Sequence, residues 1–492
     1  MNAPSRIERL RGLVNRRAAP ADERVLRRGD GRAAGMLHDI ADRLRERSLF
    51  GGEQPREALH PEDVDALRSA IAAAVDGRGG EPVARARAVE LGREYLTLDA
   101  DGRGVFLEIL ATEHGIDPAA VVASAAAYRD GVERGEQPSD EPIRRALEAP
   151  SERLLQRFSS IDDGARFLLV MREHALAALE ERPAIAPLER QLRRMLARWF
   201  DAGFLELRRI TWDSPASLLE RLTQYEAVHS IRSWDDLKHR LDEDRLVYGF
   251  FHPSMPLDPL LFVEVALVNG IADAVQPIID ETAPAGDPAT ADTAIFYAIT
   301  NARRGLDGIS LGGLLIKQVV DELKRDYPNL RTFSTLSPMP DFRAWLAEDG
   351  NLRIGAEEML ALTAAWHDWS PEQIVAGTWS DDAERAELVA PIVVRAAATY
   401  LLGARRPSGA ALNRVEHFHL SNGARVERIN WLGDTSANGM EQSLGVMVNY
   451  LYDLGEIEEN HDAYTREHLI AASAAVIDLH VAADDAAPTP AA

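Results

Sequence analysis

The segment from residue 294 to residue 338 constrains the fold more than any other part of this chain. An apolar run at 294–299 is followed by a glycine-bearing stretch at 301–313, a helical pattern at 314–324 and a second strand-like run at 330–338. These patterns predict a strand–loop–helix–strand unit. Two strands that are joined through a helix pair in parallel. The chain is therefore expected to contain a sheet with helices packed on it.

The loop that precedes the predicted helix is suited to bind an anion. Free backbone N–H groups and the positive end of the helix dipole meet at such a point, and proteins use it most often for phosphate. Arg303 and Arg304 adjoin the glycines, and the next strand carries Ser334 and Ser337. The segment predicts a site for a phosphorylated ligand with a hydroxyl side chain close by.

Three familiar glycine motifs fit this loop poorly. Residues 308–312 have the Gly-x-Ser-x-Gly spelling of a nucleophile elbow, but the strand ends near Thr300, several residues before Ser310. A Walker loop requires Lys followed by Ser or Thr, whereas Gly313 precedes two leucines. A dinucleotide fingerprint fails on spacing. A serine hydrolase that uses Ser310 stays open as an alternative.

Charge and composition restrict the partners. The chain has 492 residues and a formal net charge of −24, so no nucleic-acid partner is expected. It has no cysteine, which excludes disulfides and thiolate chemistry and is compatible with a reducing cytosol. No uncharged apolar run reaches about 18 residues, so no membrane partner is expected. A cytoplasmic location is predicted, and a targeting role for the arginine-rich residues 1–30 stays open.

The chain divides into two halves by composition. Apolar residues recur at three- and four-residue spacing through 36–199, where alanine is abundant, which predicts an all-helical bundle. We predict a helical N-terminal domain at 1–190 that mediates assembly, a mixed α/β catalytic domain at 191–480 and a disordered tail at 481–492. The fold class is α+β.

Strand patterns are confined to the second half. They begin near Phe204 and recur at 246–251 and 260–268. A proline-rich connection between the last two makes them antiparallel neighbours. A late strand pair is predicted at 414–420 and 424–431.

At this point the chain resembles the malonyl-CoA decarboxylase family. The resemblance extends from about Leu192 to Tyr452 and continues more weakly through the first half. Its motifs are long and keep their order along the chain. They are residues 212–215, 226–229, 296–299, 304–312, 315–317, 333–338, 418–423 and 428–431.

The resemblance implies a GNAT-like catalytic domain behind a helical domain, and conversion of malonyl-CoA to acetyl-CoA and carbon dioxide in a homo-oligomer. Loss of carbon dioxide leaves an enolate whose charge rests on the thioester oxygen. Because the thioester is its own electron sink, no cofactor and no metal are expected. The protein has to stabilise that oxygen, hold the departing carboxylate and protonate the α-carbon.

The family pattern also implies the site residues. Ser334 is expected to contact the malonyl carboxylate as proton acceptor or hydrogen-bond partner, and His419 to protonate the enolate, a task suited to a group that titrates near neutrality. Tyr452 and His252 are expected to make polar contacts around the acyl group. The coenzyme A site is expected to be lined by Arg304, Gly305, Leu306, Asp307, Gly308, Ile309 and Ser310.

Other interpretations stay open. On a strand, His417 and His419 would share a face, as metal ligands do, although no third ligand is evident. An acyl-CoA acyltransferase on the same fold would respond to an acceptor amine. A non-catalytic coenzyme A sensor would bind the thioester without turnover.

Overall fold

The computed structural model describes residues 58–77, 79–309 and 312–484. Contacts divide these described residues into two units: one contains those up to Asp201 together with Arg304–Ile309, and the other contains the rest of them. The predicted α+β class, with helices first and a mixed sheet after them, is confirmed. The contacts place the division after Asp201, whereas the predicted boundary at residue 190 lies inside the helix Ala186–Trp199.

Parts of three predictions lie outside the described residues: the first helical pattern near Leu37, the nucleophile-elbow serine Ser310 and the end of the tail, 485–492. The start of the predicted tail is helical, since the last helix runs to Asp484.

The first unit is built from helices. In chain order they are α1 (Pro61–Asp76), α2 (Glu81–Thr97), α3 (Ala100–Glu113), α4 (Pro118–Glu133), α5 (Glu141–Leu147), α6 (Pro150–Arg157), α7 (Gly164–Ala178) and α8 (Ala186–Trp199). Local signals set their ends. Proline occupies the first turn of α1, Gly77 ends it with φ 66°, and Asp99 caps α3 by accepting from the Gly102 N–H.

Aromatic side chains fill the core of this helical unit. Tyr95 packs edge-on against Phe106 with ring centroids 4.9 Å apart, and Phe158 packs the same way against Phe167 at 5.0 Å. All four are buried. Burial of each such side chain contributes about 1.5–3 kcal/mol, so packing between helices, rather than helix propensity, holds this unit together.

The second unit contains one mixed sheet. Its strands are β1 (Glu206–Ile210), β2 (Arg245–Phe251), β3 (Leu261–Val268), β4 (Thr293–Asn301), β5 (Thr332–Thr335), β6 (Ser337–Pro338), β7 (Arg425–Asn430) and β8 (Met447–Leu451). The order is β1-β2-β3-β4-β5-β8-β6, and β7 pairs with β8. β4 and β5 are parallel, with Thr293 opposite Thr332, while β2 and β3 are antiparallel. Both predictions are confirmed.

Helices surround the sheet. They are α9 (Ala216–Tyr225), α10 (Trp234–His239), α11 (Gln276–Ile279), α12 (Gly312–Asp326), α13 (Phe342–Leu346), α14 (Ala356–Ala365), α15 (Pro371–Ala376), α16 (Ala383–Gly403), α17 (Arg414–Leu420), α18 (Ala437–Ser443), α19 (Ile457–Glu467) and α20 (Ala474–Asp484). The predicted strand at 414–420 is wrong, because this segment is the helix α17. Its partner is a strand, β7.

One helix among the described residues, α16, has the length and apolar composition of a membrane span. Of its most apolar 18-residue window, 50% is buried inside the protein. Val389, Ile392 and Val393 are among its buried residues. These are the properties of a core helix, and its apolar residues are needed for packing within the second unit.

Candidate active site

His419 lies in the last turn of α17, and the local sequence explains why this segment is helical. Asn413 caps the helix, since its side-chain oxygen accepts from the N–H groups of Val415 and Glu416 at 2.9 Å each. The other end of that amide donates to the backbone oxygen of Pro340 at 2.8 Å, which ties the start of α17 to the segment after β6. The cap therefore fixes the direction in which the helix presents His419.

Both nitrogens of the His419 ring are hydrogen-bonded to hydroxyl groups. Nδ1 lies 2.8 Å from the phenol oxygen of Tyr452, and Nε2 lies 3.1 Å from Oγ of Ser337. The ring also stacks on Tyr450, with centroids 4.5 Å apart and planes inclined by 23°. The imidazole is thus fixed in position and orientation, and it is only 2% exposed.

Strand pairing brings these partners to the histidine. Tyr450 lies on β8, and the N–H of Tyr452 just beyond that strand donates to the backbone oxygen of Phe333 at 2.9 Å. Ser337 lies on β6, opposite Val448 of β8. The pairing of β8 with β5 and β6 therefore assembles groups that are distant along the chain.

The charged form of His419 is strongly disfavoured in this environment. Burial lowers its pKa to about 3, because desolvation penalises the imidazolium. The expectation that His419 titrates near neutrality is therefore wrong, and the ring is neutral over the physiological range. Burial also raises the pKa of Tyr452 well above its usual value, so its phenol keeps its proton.

These protonation states give the hydrogen bonds a consistent direction. A protonated Tyr452 donates to Nδ1 of His419, which leaves the ring proton on Nε2, where it is donated to Ser337. The Ser337 hydroxyl in turn donates to Oγ1 of Thr335 at 2.9 Å. We assign this tautomer from the network. It places an N–H donor at Nε2 and a proton source behind it at Nδ1.

Ser334 occupies a different part of the network. Its side chain is fully buried, and its hydroxyl lies 3.3 Å from two backbone oxygens, those of Thr335 and Tyr450. Both distances exceed the usual 2.7–2.8 Å of an O–H···O bond, so the hydroxyl is held weakly. The hydroxyl that contacts His419 belongs to Ser337. The role of Ser334 stays a prediction.

A buried carboxyl group lies three positions before the histidine on α17. Glu416 is 0% exposed, and neither carboxyl oxygen has a hydrogen-bond partner among the described residues. Burial raises its pKa well above the usual value, against a smaller opposing effect of Arg405. Glu416 therefore keeps its proton to a higher pH than an exposed glutamate does.

The predicted coenzyme A loop, as far as Ile309, belongs to the helical unit by its contacts. Arg304–Leu306 form a short 3₁₀ turn, and Gly308 has φ 73°, a conformation that favours glycine. Three of its amides already have protein acceptors: Gly305 donates to Glu173, Asp307 to the backbone of Arg304, and Ile309 to that of Leu306. These amides are engaged within the protein, so an anion has to be bound by other groups of the loop.

The other two predicted histidines make local or peripheral contacts. His252 accepts from the N–H of Ser254 at 3.2 Å and lies 2.6 Å from its hydroxyl, within one turn. His417 contacts the phenol of Tyr464 at 2.8 Å. Because α17 is a helix, His417 and His419 do not share a face, and the argument that they resemble a pair of metal ligands fails.

Sequence reasoning missed Thr335, Tyr450 and Glu416 as members of the group around the histidine, and it noted Ser337 as a hydroxyl near the anion site rather than as a contact of His419. No local pattern marks them. Thr335 and Ser337 reach the tyrosines of the β8 segment through the β5–β8 and β6–β8 pairings, which span more than a hundred positions along the chain, whereas Glu416 lies on the same helix as His419. Only a correct prediction of β8 and its partners from the sequence could have indicated that these residues meet.

The site thus combines a neutral imidazole, a phenol and a serine hydroxyl on a mixed sheet that follows a helical domain, an arrangement typical of enzymes that move protons. The comparisons with known proteins agree. The family model "Malonyl-CoA decarboxylase C-terminal domain" matches residues 203–488, and "Malonyl-CoA decarboxylase N-terminal domain" matches residues 114–200. The chain belongs to the malonyl-CoA decarboxylase family.

Individual relatives are similar over most of their length. The mitochondrial malonyl-CoA decarboxylases of Anser anser anser and Rattus norvegicus are each 34% identical, over 80% and 77% of this chain and 83% and 82% of their own. The crystal structure of malonyl-CoA decarboxylase from Rhodopseudomonas palustris is 40% identical, with a TM-score of 0.75, and covers 84% of this chain and 99% of that one. That from Agrobacterium vitis is 36% identical, with the same TM-score and coverage.

Proposed function

We propose that this chain converts malonyl-CoA to acetyl-CoA and carbon dioxide, with His419 as the proton donor to the α-carbon. The observation that carries the proposal is the neutral His419 ring, held through Nδ1 by the Tyr452 phenol at 2.8 Å, in a chain of the malonyl-CoA decarboxylase family. No cofactor is required in this scheme, because the thioester accepts the electron pair that the departing carbon dioxide leaves behind.

The proton transfer follows from the tautomer. The C–C bond to the carboxylate breaks, carbon dioxide leaves, and the electron pair forms an enolate on the thioester. The hydrogen bond from Nε2 of His419 to Ser337 breaks, the enolate takes the Nε2 proton, and Tyr452 passes its own proton to Nδ1, so the imidazole never carries a charge. The negative charge that malonyl-CoA brought in then rests on the Tyr452 oxygen until solvent restores the proton.

This coupled transfer matches the electrostatics of the site. A transient imidazolium is strongly disfavoured there, since burial lowers the pKa of His419 to about 3. A thioester enolate is a much stronger base than a phenolate, which favours the net transfer from Tyr452 and opposes the penalty that burial places on the phenolate. General acid catalysis by a positioned side chain typically contributes about 10²–10⁴-fold to the rate.

Ser334 is the proposed contact for the malonyl carboxylate. Its hydroxyl loses little when it turns from its present acceptors, because both bonds are long, 3.3 Å each. A serine hydroxyl is a poor base by itself, so we assign it a hydrogen-bonding role. The loop from Arg304 to Ser310 is the proposed site for coenzyme A, with Tyr452 and His252 near the acyl group.

Mixing the purified protein with malonyl-CoA and identifying the products tests the proposal directly. Release of carbon dioxide and acetyl-CoA without any acceptor is the expected result. Release of free coenzyme A would instead indicate a hydrolase, stimulation by an amine would indicate an acyltransferase, and binding without turnover would indicate a sensor. The variant His419→Ala should lose turnover and keep coenzyme A affinity, which is read by calorimetry.

Assembly of a homo-oligomer is proposed through α4. Gly131 is the only residue of that helix that is buried, while Val122 and Val132 are 69% and 52% exposed. An apolar helix face of this kind is stabilised when a second copy covers it.

A cytosolic location is also proposed. The vertebrate relatives are named as mitochondrial proteins, so fractionation of cells that express the chain is the test.

A further inference from the structure

The loop Arg304–Ile309 lies directly against α7. A Cβ atom added at Gly305 would lie 2.5 Å from the backbone oxygen of Leu169 and 3.1 Å from its Cα. Only a residue without a side chain permits this approach. The position of the loop relative to α7 is therefore set by backbone-to-backbone contact, and glycine at 305 is required by space rather than by dihedral angles.

Arg172 of α7 connects the loop to the rest of the helical unit. Its guanidinium donates through Nη1 to the backbone oxygen of Gly305 and through Nη2 to that of Asp307, each at 2.6 Å. Nε and Nη2 also donate to Oε1 of Glu189 on α8, at 3.0 and 2.8 Å. The Arg172 side chain is only 2% exposed. The neighbouring Glu173 accepts from the Gly305 N–H at 3.3 Å.

The hydrogen bonds of Arg172 and the contact with Leu169 therefore fix the position of the loop on the helical unit. A buried guanidinium is tolerated only when its donors are satisfied, and Glu189 fixes one edge of this one. The remaining donors point at two carbonyls that are two residues apart, so they are satisfied together only if the loop keeps this conformation. Charge-assisted bonds of this kind are about twice as strong as neutral ones.

We propose that Arg172 is a positioning residue for the coenzyme A site: it holds the loop in its ligand-binding conformation before the ligand arrives. This inference rests on the proposed function, in which the loop binds coenzyme A. It gives the helical domain a role in substrate binding in addition to the predicted role in assembly. Preorganisation of this kind increases affinity because the loop loses less conformational entropy when the ligand binds.

The test is a comparison of kcat and KM among variants. Arg172→Lys keeps the charge but loses the planar fork, so KM for malonyl-CoA should rise about tenfold or more while kcat changes less than about threefold, the pattern of lost binding in both ground and transition states. Gly305→Ala should give the same pattern by displacing the loop from Leu169. The dissociation constant of coenzyme A, measured by calorimetry, should rise in parallel.

Arg182→Lys is the matched control. Arg182 belongs to the same unit and pairs with Asp101 and Glu108, but it has no part in the loop, so KM should stay unchanged. Unchanged KM and coenzyme A affinity in folded Arg172→Lys or Gly305→Ala would overturn the inference, as would an equal effect of the control. Glu189→Gln, a milder change, should shift KM in the same direction if either main variant fails to fold. If wild-type protein binds coenzyme A without releasing carbon dioxide, the proposed function fails while the calorimetric arm still tests Arg172.

Discussion

The phenol oxygen of Tyr452 lies 2.8 Å from Nδ1 of His419, although 33 positions separate the two residues in the chain. In the proposed mechanism, this contact determines how the proton is transferred. It sets the tautomer of a ring whose protonated form is disfavoured by burial, and it places a second proton behind the first. The histidine can therefore give up a proton without passing through a charged state, which an isolated buried imidazole could not do.

Tyr452→Phe should lower kcat by about 10²-fold or more, because it removes the proton source behind His419 while keeping the ring that packs there. KM should change little, since the phenol oxygen contacts the histidine and the variant keeps the ring. Initial rates of carbon dioxide release at saturating malonyl-CoA provide the measurement. A variant with wild-type kcat would show that Nδ1 does not need this donor.

The two buried serines of the β5–β6 segment should differ in their effects. Ser334→Ala should impair decarboxylation strongly, because it removes the proposed carboxylate contact, while Ser337→Ala should lower kcat by about tenfold by loosening the orientation of His419. Ser421→Ala is a suitable control, since that hydroxyl donates to a backbone oxygen within α17. A larger loss in Ser310→Ala than in Ser334→Ala would favour the hydrolase instead.

The pH dependence of kcat should lack an ionisation of His419 between about pH 5 and 9. Burial lowers its pKa to about 3, so the neutral form that donates from Nε2 is already complete above that value. A pH–rate profile in the presence of saturating malonyl-CoA checks this. An acidic limb near pH 6.5 that disappears in His419→Asn would contradict it.

Glu416 should make the protein less stable as the pH rises. The folded state holds this proton more tightly than the unfolded state, where the usual pKa of 4.5 applies. The stability contribution is therefore complete below about pH 4.5 and is lost above it, by about 1.4 kcal/mol per pH unit until the raised pKa is reached. Glu416→Gln removes the titration.

Denaturant unfolding of wild type and Glu416→Gln at pH 5, 6 and 7 provides the comparison. The difference in the free energy of unfolding should move steadily in favour of the variant as the pH increases. Other buried acids, among them Glu226, contribute equally to both proteins and cancel. Parallel pH profiles for the two proteins would mean that Glu416 keeps its usual pKa when the chain is folded.

Val122→Asp should weaken assembly if α4 forms the interface. A charge at this 69% exposed position costs little in a monomer and several kcal/mol in a covered apolar face. Light scattering coupled to size exclusion measures the mass, and Glu133→Asp on the same helix is the control. An unchanged oligomer would place the interface elsewhere.

Features that depend on interactions between residues close together in the chain were predictable from the sequence, and features that depend on distant residues were not. The helices of the first unit, the β2–β3 hairpin and the parallel β4–β5 pair were predictable, because their apolar spacing and their proline and glycine positions act within a few residues. The segment 414–420 was predicted as a strand because its residues Val415, Phe418 and Leu420 suit one. The Asn413 cap and the burial of one helical face outweigh that preference.

By itself, the sequence determined the order of helices and strands over most of the chain, the position of the glycine loop and, through ordered motifs, the family to which the chain belongs. Only the tertiary structure decided that Ser337, rather than Ser334, contacts His419, that burial lowers the pKa of this histidine, and that Arg172 donates hydrogen bonds to the loop. Each of these depends on which distant groups meet and on how completely water is excluded around them. Desolvation and long-range hydrogen bonds have no local signature, so no pattern of neighbouring residues could have revealed them.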